Sequence, residues 1–218
     1  MRISKEKAAE NRAALVRAAS KLFREHGIDG VGVAEISKEA GLTHGALYAH
    51  FKSKEELALE ALSYGFDQTA LRMYSSTVDG MPDLGAYLDG YLSAQARDDY
   101  AGRCPMAASA SEIGRQDKAI STRFSEGYMV MVRAFERQIA QNAKDGAGPG
   151  GAPDGDALAR AMVVVATMIG SIAISRGTAK GNPQVSEQVL KAARALLDDI
   201  MLAPGRGSVP AAPDAVAR

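Results

Sequence analysis

The feature that most constrains the fold is a pair of short helical patterns in residues 33–51, joined by a tight turn at Gly41. Glycine adopts a positive φ at little cost, so Gly41 allows the chain to reverse sharply between the two helices. Apolar residues recur at helical spacing and would pack the two helices together: Val33, Ile36, Ala40, Leu42, Leu47 and Phe51. This pattern predicts a helix-turn-helix unit, a motif whose second helix commonly enters the major groove of DNA.

Helical periodicity also dominates the flanking sequence. Ser53 and Glu56 have the spacing of a capping box, in which Ser53 accepts an amide hydrogen bond and Glu56 returns one to the Ser53 amide. No alternating pattern is long enough to predict a sheet. Helices are expected at about residues 6–26, 33–40, 43–51, 53–78, 83–101, 105–113, 117–143, 156–176 and 184–202.

Two glycine- and proline-rich segments interrupt or end this pattern. Residues 145–155 are expected to form a flexible loop, and the tail after residue 203 is expected to be disordered. The predicted fold is therefore all-α. Three domains or segments are expected: a helix-turn-helix domain at 1–53, a six-helix ligand-binding and dimerisation domain at 54–203, and a tail at 204–218.

Charge and cysteine content narrow the function classes. The 26 basic and 26 acidic residues cancel, but residues 1–54 hold ten Lys and Arg against six Asp and Glu, a net charge of +4. The one cysteine excludes an internal disulfide, and the N-terminus lacks the apolar core of a secretory signal, so a cytoplasmic protein is expected. The longest apolar run, 158–174, contains Arg160 and is shorter than the roughly 20 residues that cross a bilayer, which predicts a buried helix.

The N-terminal quarter resembles a known family. Segments 33–36, 40–43, 45–51 and 53–57 match the N-terminal signature of the TetR/AcrR family of transcriptional regulators in order and spacing, over about residues 12–60. The resemblance implies nine helices, of which the first three bind DNA and the next four surround a ligand pocket. The last two would form a four-helix dimer interface, and the fourth would couple the ligand to the DNA-binding unit.

The resemblance also implies the DNA-contacting residues. Thr43 would cap the second helix of the motif and touch phosphate, and His44 and Ala46 would face the bases, with Gly45 allowing a close approach. Three further positions match phosphate contacts of the family: Tyr48, His50 and Lys54. At Gly32, where many relatives carry a Ser or Thr cap, a side-chain phosphate contact would be missing.

Each of these assignments has a simpler alternative. Tyr48 and Phe51 could both be core aromatics, and Lys54 could be a solvated charge at a helix start. His44 and His50 are six residues apart and do not share a helix face, so no zinc site or other metal site is expected.

The C-terminal half offers candidate ligand contacts, because Met and aromatic residues suit the wall of an apolar pocket. The six candidates are Tyr87, Tyr91, Met106, Phe124, Tyr128 and Met131. They predict an apolar or aromatic inducer and no cofactor, but a stripe of this kind is more often only core. Cys104, beside Arg103 and before Pro105, could be a reactive thiol at a helix N-terminus and a redox or electrophile sensor, or a small buried residue in a turn.

The last two helices carry a dimerisation pattern. The first is apolar almost all round, with small residues at Gly170 and Ser171, and such a helix needs two neighbours. The second has a coiled-coil-like stripe of Val189, Ala192, Ala193, Leu196, Leu197 and Ile200. A homodimer would match an operator made of two half-sites.

These expectations combine into a ligand-released repressor that binds a palindromic double-stranded operator as a homodimer. Residues 146–151 formally contain the G-x-G-x-x-G fingerprint of dinucleotide-binding enzymes, but the segment follows a helix and contains Pro149, which argues against an enzyme. A third class is a ligand carrier or partner-binding module that has lost DNA specificity. Sequence-selective DNA binding would separate the regulator from this alternative.

Overall fold

The computed structural model describes residues 4–147 and 156–203, with only the backbone described at 145–147. The chain is all-α in this part, as predicted, apart from one short hairpin. The elements are α1 (Lys5–His26), α2 (Val33–Glu39), a 3₁₀ helix (His44–Ala49), α3 (Lys54–Met73), β1 (Thr77–Val78), β2 (Met81–Pro82), α4 (Leu84–Tyr91), α5 (Ala94–Asp98), α6 (Pro105–Ile113), α7 (Lys118–Ala147), α8 (Ala157–Ala179) and α9 (Pro183–Leu202).

Helix α1 begins and ends at residues with clear capping roles. The Ser4 side chain accepts a hydrogen bond from the Lys7 amide and starts α1, and Gly27, with φ of 80°, ends it. The segment at 44–49 forms a 3₁₀ helix, although an α-helix was predicted there. Its backbone hydrogen bonds join residues three positions apart. The Ala46 amide donates to the Thr43 carbonyl at 2.9 Å, and the His50 amide donates to the Leu47 carbonyl at 2.9 Å. Such tight turns suit a helix of only a few residues.

The predicted fourth helix is α3, and it ends at Met73 and not near residue 78. A two-residue hairpin follows, in which Thr77 pairs with Pro82 and Val78 with Met81. Asp79 and Gly80 both have positive φ, 52° and 78°, the conformation that an Asp-Gly turn adopts between two strands. Strands of two residues are too short to leave an alternating pattern in the sequence.

Other helix boundaries also shift. The single helix expected at 83–101 is divided into α4 and α5, because the Ser93 side chain accepts a bond from the Ala96 amide at 3.1 Å and caps a new helix. The backbone of α7 is helical through residue 147, so the first three residues of the predicted loop are helical. The rest of that loop, 148–155, and the predicted tail, 204–218, lie outside the described residues.

Helix α8 is longer than expected, because it continues to Ala179. With 23 residues it is long and apolar enough to cross a membrane by length and composition, contrary to the sequence estimate. A core helix passes the same test, and α8 packs along one side against α7 and α9. Its buried residues include Val164, Val165 and Met168.

Helix α3 joins the two halves of the chain. Near its start, Leu57 and Ala58 are fully buried, and the Ser20 hydroxyl of α1 donates a hydrogen bond to the Ala61 carbonyl at 2.8 Å. Further along, α3 packs against α7, α4 and α6. One rigid helix therefore extends from the helix-turn-helix unit into the C-terminal half.

Candidate nucleic-acid interface and the adjoining cavity

The turn between α2 and the 3₁₀ helix has the geometry that its sequence predicts. Gly41 has φ of 70°, and the Leu42 amide donates a hydrogen bond to the Ser37 carbonyl at 2.8 Å. Leu47 and Phe51 are buried, and the Arg12 guanidinium lies 4.7 Å from the centre of the Phe51 ring. These anchors hold the 3₁₀ helix against α1 and α2 by one side.

The opposite side of the 3₁₀ helix is open to solvent. Thr43, His44 and Gly45 are exposed, and Ala46 and His50 are partly exposed. Tyr48 is 57% exposed, and its ring centre lies 6.1 Å from that of His44. Because Phe51 is buried and Tyr48 is not, the core interpretation applies to Phe51 alone.

The helix starts differ from the predicted caps in two details. Thr43 occupies the cap position of the 3₁₀ helix, but its side chain forms no capping bond, and its carbonyl accepts from the Ala46 amide. At the start of α3, the Ser53 hydroxyl accepts from the Glu56 amide at 3.2 Å as expected. The Glu56 carboxylate, however, accepts from the Lys52 amide at 2.7 Å and not from the Ser53 amide.

This cap places two lysines at one end of α3. Lys52 is exposed, and Lys54 is the first residue of the helix and partly exposed. The free amides of a helix N-terminus favour an anion, and a lysine beside them adds a full positive charge. The arrangement suits a backbone phosphate of DNA on the same surface as Tyr48.

A cavity of about 240 Å³ lies at the other end of α3. It is enclosed by the last turn of α3, the residues that follow it, α4, and the two residues before α6. Its lining residues are Thr69, Arg72, Met73, Ser75, Ser76, Asp83, Ala86, Tyr87, Gly90, Tyr91, Arg103 and Cys104. Two of the six predicted ligand contacts, Tyr87 and Tyr91, are among them.

The two tyrosines are unusual in their hydroxyl groups. Both hydroxyls are buried and form no conventional hydrogen bond with any described residue. Burial raises the pKa of Tyr87 and that of Tyr91 far above the ordinary value, and the neighbouring Cys104 thiol raises both further. Both phenols therefore remain protonated at neutral pH and can donate a hydrogen bond to a ligand.

The other four predicted ligand contacts do not line this cavity. Met106 is fully buried, and Met131 borders a smaller space of about 80 Å³ between α3 and α7. Phe124 packs edge-on against Phe66 with ring centres 6.5 Å apart. The Tyr128 hydroxyl donates to the Met162 carbonyl at 2.9 Å, which ties α7 to α8.

Of three polar residues that line the cavity, the sequence identified one as a candidate functional residue and not the other two. Cys104 was singled out and lies at the cap of α6, 4% exposed, with Pro105 at the first helical position. Arg72 and Arg103 were missed. An arginine in an amphipathic helix or a turn usually faces solvent, so its type and spacing gave no signal that it lines a cavity.

Helix α6 links the cavity to the helix-turn-helix unit. Its Glu112 side chain is 8% exposed and accepts a hydrogen bond from the Asp29 amide, between α1 and α2, at 2.9 Å. Just beyond α6, the Gln116 amide donates to the Asp29 carboxylate at 3.1 Å. A movement of α6 would therefore displace the loop before α2 through these hydrogen bonds.

No metal centre is indicated within residues 4–147 and 156–203, where no three His, Cys, Asp or Glu residues form a suitable group. The glycine-rich segment 146–151 begins in the last turn of α7, and its remainder lies outside the described part of the chain.

Comparison with known proteins agrees with the helix-turn-helix geometry. Residues 15–61 match the family model of bacterial regulatory proteins of the TetR family. The chain is 36% identical over 78 residues to the transcriptional regulator YuxN of Bacillus subtilis, an alignment that covers 36% of this chain and 27% of YuxN. It is 37% identical over 87 residues to TtgR of Pseudomonas putida, which covers 39% of this chain and 41% of TtgR.

The aligned part thus spans about a quarter to two fifths of these curated relatives. The likeness of fold extends further. A TetR-family regulator from Cytophaga hutchinsonii superposes with a TM-score of 0.71 and 20% identity, covering 95% of this chain and all of that one. The matched proteins are transcriptional regulators and not enzymes. Residues 15–61 are thus similar to the TetR family of bacterial regulatory proteins, and the fold of the chain resembles that of a TetR-family regulator over most of its length.

Proposed function

We propose that this protein is a cytoplasmic, ligand-responsive transcriptional repressor that binds a palindromic operator as a homodimer and is released by a small molecule. The carrying observation is the 3₁₀ helix, which is fixed by buried Leu47 and Phe51 while Tyr48 is left 57% exposed. In this proposal residues 1–53 bind DNA and residues 54–203 bind ligand and dimerise.

The DNA-binding roles follow from position on that helix. His44 and Ala46 face the bases, and Gly45 adds no side chain that would hold the backbone away. The phosphate contacts are assigned to Thr43, Tyr48, His50 and Lys54, and they position the protein without reading sequence. The free Thr43 hydroxyl, which makes no capping bond, supports its part in this set.

The dimer interface is assigned to the outer face of α8 and α9. On α8, Val163 and Ile174 are 51% and 58% exposed, and on α9 Leu196 is 52% exposed. The predicted stripe of α9 is divided, because Ala193 and Leu197 are buried against the chain while Ala192 and Leu196 face outward. An apolar face of this extent on two adjacent helices is typical of a protein interface.

Coupling is assigned to α3 and α6 together. Lys54 begins α3 at the DNA surface, and Thr69, Arg72 and Met73 end it at the cavity. The two recognition helices of a dimer must meet major grooves about 34–36 Å apart. A small tilt of α3 on ligand binding would change that separation and abolish simultaneous contact with both half-sites.

The phosphate assignments predict a defined salt dependence. Tyr48→Ala and Lys54→Ala are each expected to weaken binding to random-sequence duplexes. Only Lys54→Ala removes a charge, so it alone should lower the salt slope of the logarithm of the affinity, by about one. Fluorescence anisotropy at several salt concentrations measures this slope. Arg133→Ala on α7 is the matched control, because it removes an exposed positive charge from the other half of the chain. A wild-type slope in Lys54→Ala, or wild-type affinity in Tyr48→Ala, would contradict the assigned roles.

The α6 link predicts a second result. Glu112→Ala leaves the Asp29 amide without its partner, so the free energy of unfolding should fall by about 1–3 kcal/mol. Hydrogen exchange at the Asp29 amide should become faster. Gln116→Ala, which removes only a surface bond to the same residue, should change stability by less than about 0.5 kcal/mol. Unaltered exchange at Asp29 in Glu112→Ala would show that α6 is not held to the DNA-binding unit through this carboxylate.

A further inference from the structure

We infer that the cavity between α3, α4 and α6 takes a small organic carboxylate, with its anionic group held by Arg72 and Arg103 and its apolar part against the two tyrosine rings. This inference rests on the proposed function and names the class of its ligand. It narrows the apolar or aromatic inducer expected from the sequence to one that carries a negative charge.

Arg72 supplies the first argument. Its guanidinium makes a hydrogen bond of 3.4 Å to the Thr69 hydroxyl, and no carboxylate of a described residue pairs with it. Arg24 stands close by, and burial and then the positive charge of Arg72 lower the pKa of Arg24. Arg24 does not line the cavity and donates to the Ala101 carbonyl and the Ser20 hydroxyl, so Arg72 is the guanidinium of this pair that can bind an anion there.

Arg103 supplies the second argument for an anionic ligand. Its buried Nε lies 3.4 Å from the Asp99 Oδ2 in an ion pair that does not have the geometry of a hydrogen bond. The Asp99 carboxylate also accepts a hydrogen bond of 2.7 Å from the Gly102 amide and is 42% exposed. The two terminal nitrogens of the guanidinium form no hydrogen bond with a described residue, so these nitrogens can donate toward the cavity.

Tyr87 and Tyr91 supply the third argument for an anionic ligand. Tyr91 is 7% exposed, and its buried hydroxyl and that of Tyr87 have no conventional partner among the described residues. Guanidinium groups donate only, so a ligand group beside Arg72 and Arg103 must accept hydrogen bonds, and the two phenols can donate to the same acceptor. A carboxylate accepts several hydrogen bonds and binds a guanidinium in a bidentate manner.

The remaining lining limits the ligand further. Among the described residues that line the cavity, Asp83 is the one with a carboxylate. Its Oδ1 accepts a hydrogen bond of 2.9 Å from the Ala86 amide and caps α4. Met73, Ala86 and the tyrosine rings provide apolar contact. A volume of about 240 Å³ lies below the roughly 300–1,000 Å³ of sites for drug-sized ligands. One ring or a short aliphatic chain beside the carboxylate is therefore the expected size.

Calorimetric titration with matched acids and amides tests the inference directly. Phenylacetate and benzoate are compared with phenylacetamide and benzamide, which keep the shape but not the charge. The wild type should bind at least one acid at least about tenfold more tightly than its amide, and Arg72→Met should abolish that difference. Arg133→Met, which removes an exposed arginine of α7, should behave as the wild type. If Arg72→Met does not fold, Arg103→Gln takes its place with the same expected loss.

Three results would overturn the inference: equal affinity for acid and amide, an unchanged preference in Arg72→Met, or no binding of either acid at millimolar concentration. The titration uses no DNA, so its outcome is separate from that of the proposed function. A protein that binds the acids and selects no DNA sequence would keep the carboxylate site and lose the repressor role. A protein that selects an inverted repeat and binds neither acid would do the opposite.

Discussion

The double substitution Val163→Asp and Ile174→Asp is expected to convert the proposed dimer into monomers and to abolish tight binding to the proposed operator. The two side chains are eleven residues apart, about three helical turns, so they lie on one face of α8. They are 51% and 58% exposed in the single chain, and the substitution should therefore leave the monomer folded. In the dimer the new carboxylates would be buried in an apolar interface without partners, at a cost of several kcal/mol per charge.

The effect on DNA follows from the loss of the second half-site. A monomer makes one of two linked contacts, and linked contacts raise affinity by about 10² to 10⁴ over a single one. Sedimentation velocity gives the mass of the protein, and anisotropy gives the operator affinity. Val130→Asp is the matched control, because Val130 is an equally exposed valine (61%) on α7, away from the proposed interface. A double variant that sediments as a dimer would show that α8 does not form the interface.

The second large effect concerns two aromatic residues three positions apart. Phe51→Ala should lower the free energy of unfolding by about 3–5 kcal/mol, because Phe51 is 1% exposed and its removal leaves a cavity beneath the 3₁₀ helix. It also removes the ring on which the Arg12 guanidinium lies at 4.7 Å. DNA binding should be lost with it, since the recognition surface would no longer be held in place.

Tyr48→Ala provides the contrast within the same helix. Tyr48 is 57% exposed, so its removal should change stability by less than about 0.5 kcal/mol while still weakening DNA binding. Urea unfolding followed by circular dichroism, together with DNA titration, measures both quantities for both variants. If Tyr48→Ala proved as destabilising as Phe51→Ala, Tyr48 would be a core residue and its assignment to DNA would fail.

The helices could be predicted because each is defined by local features. Gly27 ends α1, Ser53 begins α3, and Pro183 stands at the first turn of α9, so caps and apolar spacing placed these boundaries within a few residues. The features that escaped prediction depend on very short elements. The hairpin at 77–82 has two residues per strand, and the break at Ser93 is a single cap inside an otherwise helical pattern.

The two candidate sites differed in the same way. The surface around Tyr48 lies within one contiguous segment, so helical spacing placed Leu47 and Phe51 on the packed side. The alternative that Tyr48 is also a core residue was decided only by its 57% exposure in the structure. The cavity is assembled from three elements that are distant in sequence. Arg72 and Arg103 come together only through packing. An aromatic stripe could not distinguish Tyr91, whose hydroxyl has no conventional hydrogen-bond partner among the described residues, from Tyr128, whose hydroxyl donates to the Met162 carbonyl.

The most direct test of the central claim is selection of bound duplexes from a random-sequence DNA pool, with the wild type and Tyr48→Ala side by side. The account predicts that the wild type enriches an inverted repeat and that Tyr48→Ala enriches the same repeat far more weakly. Salt sets the stringency, since phosphate contacts dominate the affinity. Failure of the wild type to enrich any sequence at low salt would contradict the claim that this protein is a DNA-binding regulator.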